Sequence, residues 1–515
     1  MPIRITGLAS GLDTESIISA LVSSYSYKTD KYKKAQTKLS WKQDAWKTLN
    51  SKIYSFYKEA GNLKYSSAYS LKTASISDST KASVSVSGNA AAGVQTLEVK
   101  SVAKSEYITG AQMKLADNTS KDKVSTSTTL SQLGYSGSDA SFEVTNKETG
   151  KVSTISVSAD TKVSDFVDQL KEAGLSANFD ATNQRIFIAS SKAGTDNAFD
   201  IKSKNADGDK ALYALGLSMD STVYDSSAEK NSGNSRISAE NAAIVLNGAT
   251  YTSSTNDFNI NGVSITALGV TDANESLTLT VTTDTQGLYD KVKSFLSSYN
   301  ALINEMTSLY NADNAKGYEP LTDDEKDQMS DSEVEKWETK IKSSLLRRDD
   351  TLSGILNSMT TAMSKSYTVN DKTYSLSSFG IKTLGFMNAA KNEQYAYHID
   401  GDEDDNSTSG NEDKLMAAIK SDPDSVVDFM KQLSKGLYDA MDKKMKSSRS
   451  LRSSLTFYND KEMASEYSDY TQTITKWENK LEDMEDYYYK KFSAMETALS
   501  KLQSQTSSLS NLFGS

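Results

Sequence analysis

The 515-residue sequence contains no cysteine, a single histidine (His398) and only 3 prolines. Without cysteine there is no disulfide framework, no thiolate nucleophile and no thiolate-bound zinc, and one imidazole excludes a site with two histidine ligands from the same chain. Any chemistry would have to use carboxylates, lysine or hydroxyls, so no catalytic residue, cofactor site or metal site is assigned and an enzyme is not expected. No apolar run approaches the roughly 18 residues needed to cross a bilayer, which argues against membrane insertion. The net charge of -11 and a mean hydropathy of -0.54 argue against a nucleic-acid partner, because phosphate neutralisation needs a basic face. The start, Met1 to Gly7, lacks the charged, apolar and small-residue segments of a secretory signal, so the chain is expected to stay in the cytoplasm or to leave by a route that cleaves none.

Motifs that could carry chemistry are incomplete. Asp400-Gly401-Asp402-Glu403-Asp404-Asp405-Asn406 puts Asp at positions 1, 3 and 5 of a calcium loop, but Asp405 stands at the glycine position and Asn411 where a bidentate Glu is required. It reads as a solvated acidic loop, with His398 beside it as an ordinary surface or packing residue. Gly7 to Gly11 and Ala206 to Asp209 lack the lysine and the strand-loop-helix setting of a phosphate cradle.

What the chain has in quantity is helical periodicity at both ends. Residues 14–60 read as one helix, capped by Asp13 and stopped at Gly61-Asn62. Within it Ile18, Tyr25, Tyr32, Leu39, Trp46, Ile53 and Ala60 recur every seven residues, and the positions three further on are apolar except Lys28 and Lys42. Ile474, Leu481, Tyr488, Met495, Leu502 and Leu509 form a second heptad, with Trp477, Met484, Ala498 and Leu512 as companions. Each spans about 60 Å of helix. Residues 28–64 carry ten Lys against Asp30, Asp44 and Glu59, net +7, and residues 460–496 carry ten acidic groups against five Lys, net -5. The two ends are therefore expected to pair, their seams forming a self-assembly surface.

The middle differs. Residues 74–285 are Ser/Thr-rich with period-two alternation, as in Ala82-Val84-Val86, Gly93 to Val99 and Phe142 to Val157, interrupted by a short helix on Val163, Phe166, Val167 and Leu170 that Gly174 closes. Asn247-Gly248 and Asn261-Gly262 predict two tight hairpins, and Asn370-Asp371 a third. Helical spacing returns over 288–365, resumes near Lys414, and again after Pro423 with Asp424 as cap. The fold class is thus α+β and multidomain, with about three domains or more for this length: N- and C-terminal α-helical coiled coil or bundle, with β-rich head domains inserted.

Several segments resemble the flagellar hook-associated protein 2 family. These are Gly7-Leu8-Ala9-Ser10-Gly11-Leu12-Asp13-Thr14, Trp41-Lys42-Gln43-Asp44-Ala45, Val99-Lys100-Ser101-Val102-Ala103 with Val where the family's pattern has Leu, Ile260-Asn261-Gly262, Tyr318 to Asp323, Trp337 to Lys340, and Phe492 to Ala498. The resemblance covers nearly the whole chain and is weakest over residues 105–236. It implies a structural protein at the distal tip of the bacterial flagellar filament, secreted without a cleaved signal, that retains exported flagellin and promotes its polymerisation. Implied partners are further copies of the chain in a closed ring of about five, flagellin, the hook-filament junction protein, an export chaperone and the flagellar export apparatus. The implied division is 1–45 with 465–515 as a coiled-coil leg, 46–73 with 286–464 as a helical bundle, 74–104 with 237–285 as a β-rich head domain, and 105–236 as an inserted α+β head domain. The alternatives are another axial protein, flagellin or the junction protein, and a mucin- or glycan-binding adhesin role for the head.

Overall fold

The computed structural model describes residues 10–117, 122–273, 275–446 and 450–513, the side chains of 511–513 excepted. By internal contacts the chain divides into a helical unit, residues 1–69 with 285–515, and a β-rich unit, residues 70–284.

The first helix, α1 (Thr14–Leu63), starts where Asp13 accepts a hydrogen bond from the Ser16 amide. It does not stop at Gly61. The helix runs through that residue, where a Cβ would lie 3.0 Å from the Tyr438 ring, so the glycine serves close packing rather than termination.

In the β-rich unit, strands β1 (Lys72–Ile76), β2 (Ala82–Val86) and β3 (Gly93–Ser101) are followed by β4 (Tyr107–Thr109), β5 (Ala140–Asn146) and β6 (Lys151–Val157). Helix α2 (Val163–Glu172), the hairpin β7 (Ser176–Asp180) and β8 (Arg185–Ala189), β9 (Phe199–Ser203) and α3 (Ala206–Ala214) come next. The unit closes with β10 (Ser235–Ile237), β11 (Ala242–Leu246), β12 (Ala249–Ser253), β13 (Asp257–Ile260), β14 (Val263–Ala267) and β15 (Leu277–Thr283). The sequence does not announce α3, because its one turn of apolar spacing is masked by Gly208 and two Asp.

Among the described residues four sheets result, ordered β1-β15-β3-β11-β12, β13-β14-β2, β10-β4-β8-β7 and β6-β5-β9, each pairing antiparallel. The two Asn-Gly turns have positive φ at both residues, as a type I′ hairpin requires. Inward-facing Leu97, Val99, Ile244, Leu277 and Leu279 meet Val263 and Ile265 in one core; Phe142, Phe166, Leu170, Ile186 and Phe199 lie in a second.

Back in the helical unit, α4 (Thr285–Tyr310) is followed by α5 (Asp323–Lys326), α6 (Asp331–Lys342) and α7 (Asp350–Met363). Two hairpin-like pairs come next, β16 (Tyr367–Val369) with β17 (Lys372–Tyr374) and β18 (Ile381–Thr383) with β19 (Tyr397–Ile399). Helices α8 (Lys414–Ser421), α9 (Pro423–Lys446) and α10 (Asp460–Phe513) complete it. The side chain that caps α9 is Asp422, which accepts from the Ser425 amide, and not Asp424; proline at the first helical position displaces the cap by two residues. The core is continuous from Trp46, Ile53 and Phe56 of α1 through Phe295 and Tyr299 of α4 to Met359 of α7 and Phe429 and Leu433 of α9. Tyr57 stacks on Tyr438 at 4.5 Å, and its hydroxyl lies 2.7 Å from that of Tyr438 and 3.0 Å from Asp442; burial pushes this phenol well above its usual value.

Candidate assembly interface

Helices α1 and α10 lie antiparallel. As the α1 residue number falls, its partner's rises: Trp46 stacks on Tyr458 at 5.5 Å, Tyr32 meets Tyr470 at 6.3 Å, Lys28 sits 4.6 Å above the Trp477 ring, and the Ser10 amide donates to Glu496 at 3.1 Å. Gln36 donates to the Thr471 hydroxyl at 2.7 Å. The two lysines that interrupt the α1 seam are accounted for. Lys28 makes a cation–π contact across the pair, and Lys42 leaves the seam for Asp349, which also caps α7.

The seam residues do not share one environment. Ile18, Leu39, Trp46, Ile53 and Ile474 are buried; Tyr32, Leu481, Tyr488 and Met495 are half-buried; Tyr25, Leu502 and Leu509 are 43%, 61% and 53% exposed. Leu39, Trp46 and Ile53 belong to the bundle core, so the lower half of the α1 heptad faces several helices rather than one. A seven-residue repeat specifies which side of a helix is covered, not what covers it. Gly7 to Ala9 of the N-terminal motif, and the Leu512 side chain, lie outside the described residues.

The expected charge match between the ends is mostly absent. Among the described residues one ion pair joins α1 to α10, Lys33 to Glu478 at 2.7 Å. Lys34, Lys42 and Lys52 instead meet Glu325, Asp349 and Glu305 elsewhere in the same unit. The reason is register. The antiparallel alignment sets Glu482 to Asp486, the densest acidic stretch of α10, against the part of α1 preceding Lys28, where Ser, Ala and Tyr predominate and Glu15 is the sole ionised residue. The distal half of the pair therefore presents exposed Leu12, Leu21, Tyr25, Tyr27, Tyr487, Leu502 and Leu509 beside an acidic edge. Apolar surface rimmed by charge marks an interaction site.

The acidic segment at Asp400 is solvated only in part: Glu403 and Asp404 are exposed, but two of its aspartates are not. Asp400 and Asp402 are 6% and 9% exposed; Lys382 donates to Asp400 at 2.8 Å, and Lys293 of α4 donates to both Asp402 and Asp404 at 2.6 Å. Asp405 lies 2.5 Å from His398 Nδ1. The carboxylates are consumed by cations from distant sequence, and no group of three or more potential metal ligands occurs among the described residues. Hydrogen bonds from Lys382 and Lys293 hold the Asp400 and Asp404 carboxyls below the usual value. Such groups contribute stability that is present above the unfolded-state pKa, about 3.9, and is lost as pH falls through the lower folded value. The denaturant midpoint of the helical unit should accordingly decline below about pH 4, and Lys293→Met should flatten that decline.

The family model described as flagellar hook-associated protein 2 C-terminus matches residues 239–504, more than half of the chain, and its companion, the N-terminus of the same protein, matches residues 10–106. The chain belongs to the flagellar hook-associated protein 2 family. The family member of that name from Halalkalibacterium halodurans is 25% identical over 99% of this chain and 99% of its own length. The one from Escherichia coli K12 is 26% identical over 66% of this chain and 69% of its own. A crystal structure of the D1-D2-D3 domains of the E. coli flagellar cap protein FliD covers 79% of this chain and 97% of its own, at 21% identity and a TM-score of 0.48. The two family matches contain α1 and α10 as far as residue 504, and leave residues 107–238 between them.

Proposed function

We propose that this member of the flagellar hook-associated protein 2 family is the structural cap at the distal tip of the bacterial flagellar filament, an extracellular oligomer that retains flagellin and promotes its folding and polymerisation. Family membership over both terminal helices carries the reading. Its partners are further copies of itself in a closed ring of about five, flagellin, the hook-filament junction protein and, before secretion, a chaperone and the export apparatus. No described helix is long and apolar enough to cross a membrane.

We assign residues 1–45 with 465–515 to a leg that contacts the filament end, 46–73 with 286–464 to the bundle, and 74–104 with 237–285 and 105–236 to two head domains. Exposed leucines and tyrosines on the distal half of the α1–α10 pair support the leg assignment. Contacts made by separated exposed side chains are individually weak, which suits a cap that must release and rebind as each subunit is added. The test is Leu481→Asp with Leu502→Asp. Because these side chains are half-buried and exposed, the double variant should keep its circular dichroism and melting profile while cells carrying it secrete unpolymerised flagellin and lack filaments. Filaments of normal length would remove the leg from the mechanism.

A further inference from the structure

Phe386 and Met387 are 85% and 92% exposed, the most exposed large apolar pair among the described residues. They stand at the tip of the segment between β18 and β19. That tip is a defined turn: Gly385 has φ +78 with open space around it, and its carbonyl accepts from the amides of Asn388 at 3.3 Å and Ala389 at 3.0 Å. Asn300 of α4 and Asn311, just past its end, tie the segment down. Asn300 exchanges hydrogen bonds with the Tyr397 backbone at 2.7 and 2.8 Å, and Asn311 donates to Asn392 at 3.1 Å. The apolar pair is thus held outward by a rigid base, which lowers the ordering entropy that binding would cost.

The same unit contains a matching recess. Trp41 and Ala45 of α1, Leu309 of α4, and Leu345 and Leu346 after α6 line an apolar groove of about 530 Å³, with Lys342 4.5 Å above the Trp41 ring and Asp44 at its rim. Groove and knob cannot meet within one chain. Leu309 faces the groove, while Asn300, nine residues earlier, holds the knob segment; at 100° per residue these lie about 180° apart around α4. Lys391, exposed on the knob segment and without an ion pair among the described residues, has the sign that Asp44 at the groove lacks.

We propose that Phe386 and Met387 of one copy insert into the Trp41–Leu309–Leu345 groove of the next copy, with Lys391 meeting Asp44. A knob on one face and its hole on the opposite face make a heterologous contact, which repeats head to tail and closes into a ring when the rotation permits. This rests on the proposed ring and names the surface that builds it.

The absence of native cysteine gives a clean test. Chains carrying Phe386→Cys and chains carrying Thr48→Cys, on the groove wall, should form a disulfide-linked heterodimer when mixed under mild oxidation, and neither should cross-link alone. Independently, F386A/M387A should raise the concentration at which the full-length chain assembles, read by sedimentation velocity, by about 30-fold or more. Its circular dichroism should match the parent because neither side chain is in the core. A parent that assembles alongside an F386A/M387A that assembles equally well overturns this contact, as does the lack of the mixed disulfide in such a parent. A parent that remains monomeric at every concentration overturns the ring itself, and the contact with it.

Discussion

Trp46→Ala is expected to destabilise the helical unit by about 3–5 kcal/mol, the range for emptying a large aromatic site in a packed core. Trp46 is 2% exposed and lies parallel to Tyr458, with 6° between the ring planes, at the place where the segment preceding α10 returns to α1. Next to it Asn50 Oδ1 accepts from the Phe457 amide at 2.8 Å. Removing the indole opens a cavity and releases the face on which Tyr458 rests. Trp46→Phe should cost less, since a ring remains to stack. Urea unfolding followed by helical circular dichroism would decide it; a loss below about 1 kcal/mol, the ordinary surface range, would mean that the site collapses around the gap.

Arg236→Met should be comparably severe in the β-rich unit. The guanidinium donates to Glu106 through Nε at 2.5 Å and also through Nη2, to the Ser221 carbonyl at 2.8 Å and to the Phe199 carbonyl at 3.1 Å. Glu106 is 2% exposed and also accepts from the Phe199 amide at 3.0 Å. Methionine would keep the apolar stem but leave a carboxylate and two carbonyls without their donor, at a cost of about 3–5 kcal/mol. The second substitution makes the argument specific: adding Glu106→Leu removes the stranded charge, so the double variant should recover part of the loss. Calorimetry on the parent and the two variants separates the cases. An Arg236→Met chain that melts with the parent, or a double variant less stable than the single, would show that the ion pair is not what holds β4, β9 and β10 together.

The sequence was most readable where a pattern is local. The Asn-Gly hairpins, the strand alternation of Ala82-Val84-Val86 and the cap at Asp13 each depend on a few neighbouring residues, and each is found where those residues put it. The terminal heptads were legible as helices, and as helices that meet. Their register was not, and with it most of the charge argument failed: Lys34, Lys42 and Lys52 find Glu325, Asp349 and Glu305, because net charge over forty residues carries no information about which turn faces which. The segment at Asp400 was misread for a related reason. Its cation, Lys293, is 109 residues away from Asp402, and no local composition reveals it. The groove at Trp41 and the knob at Phe386 are invisible for the same cause, since each is a statement about surfaces that only the packed helices create.

The antiparallel pairing of α1 and α10 joins Ser10 to Glu496, 486 positions apart. Closing so distant a contact is slow compared with local folding. The interval between the two helices is filled by elements with cores of their own, so both units can settle while α1 waits with its distal seam uncovered. In a chain synthesised from the N-terminus onward, the surface proposed as the leg is then finished by the last described element to emerge. A chain interrupted just before α10 would keep the two cores of its β-rich unit and leave the distal seam of α1 without its partner, so the leg surface would report on translation as far as that helix.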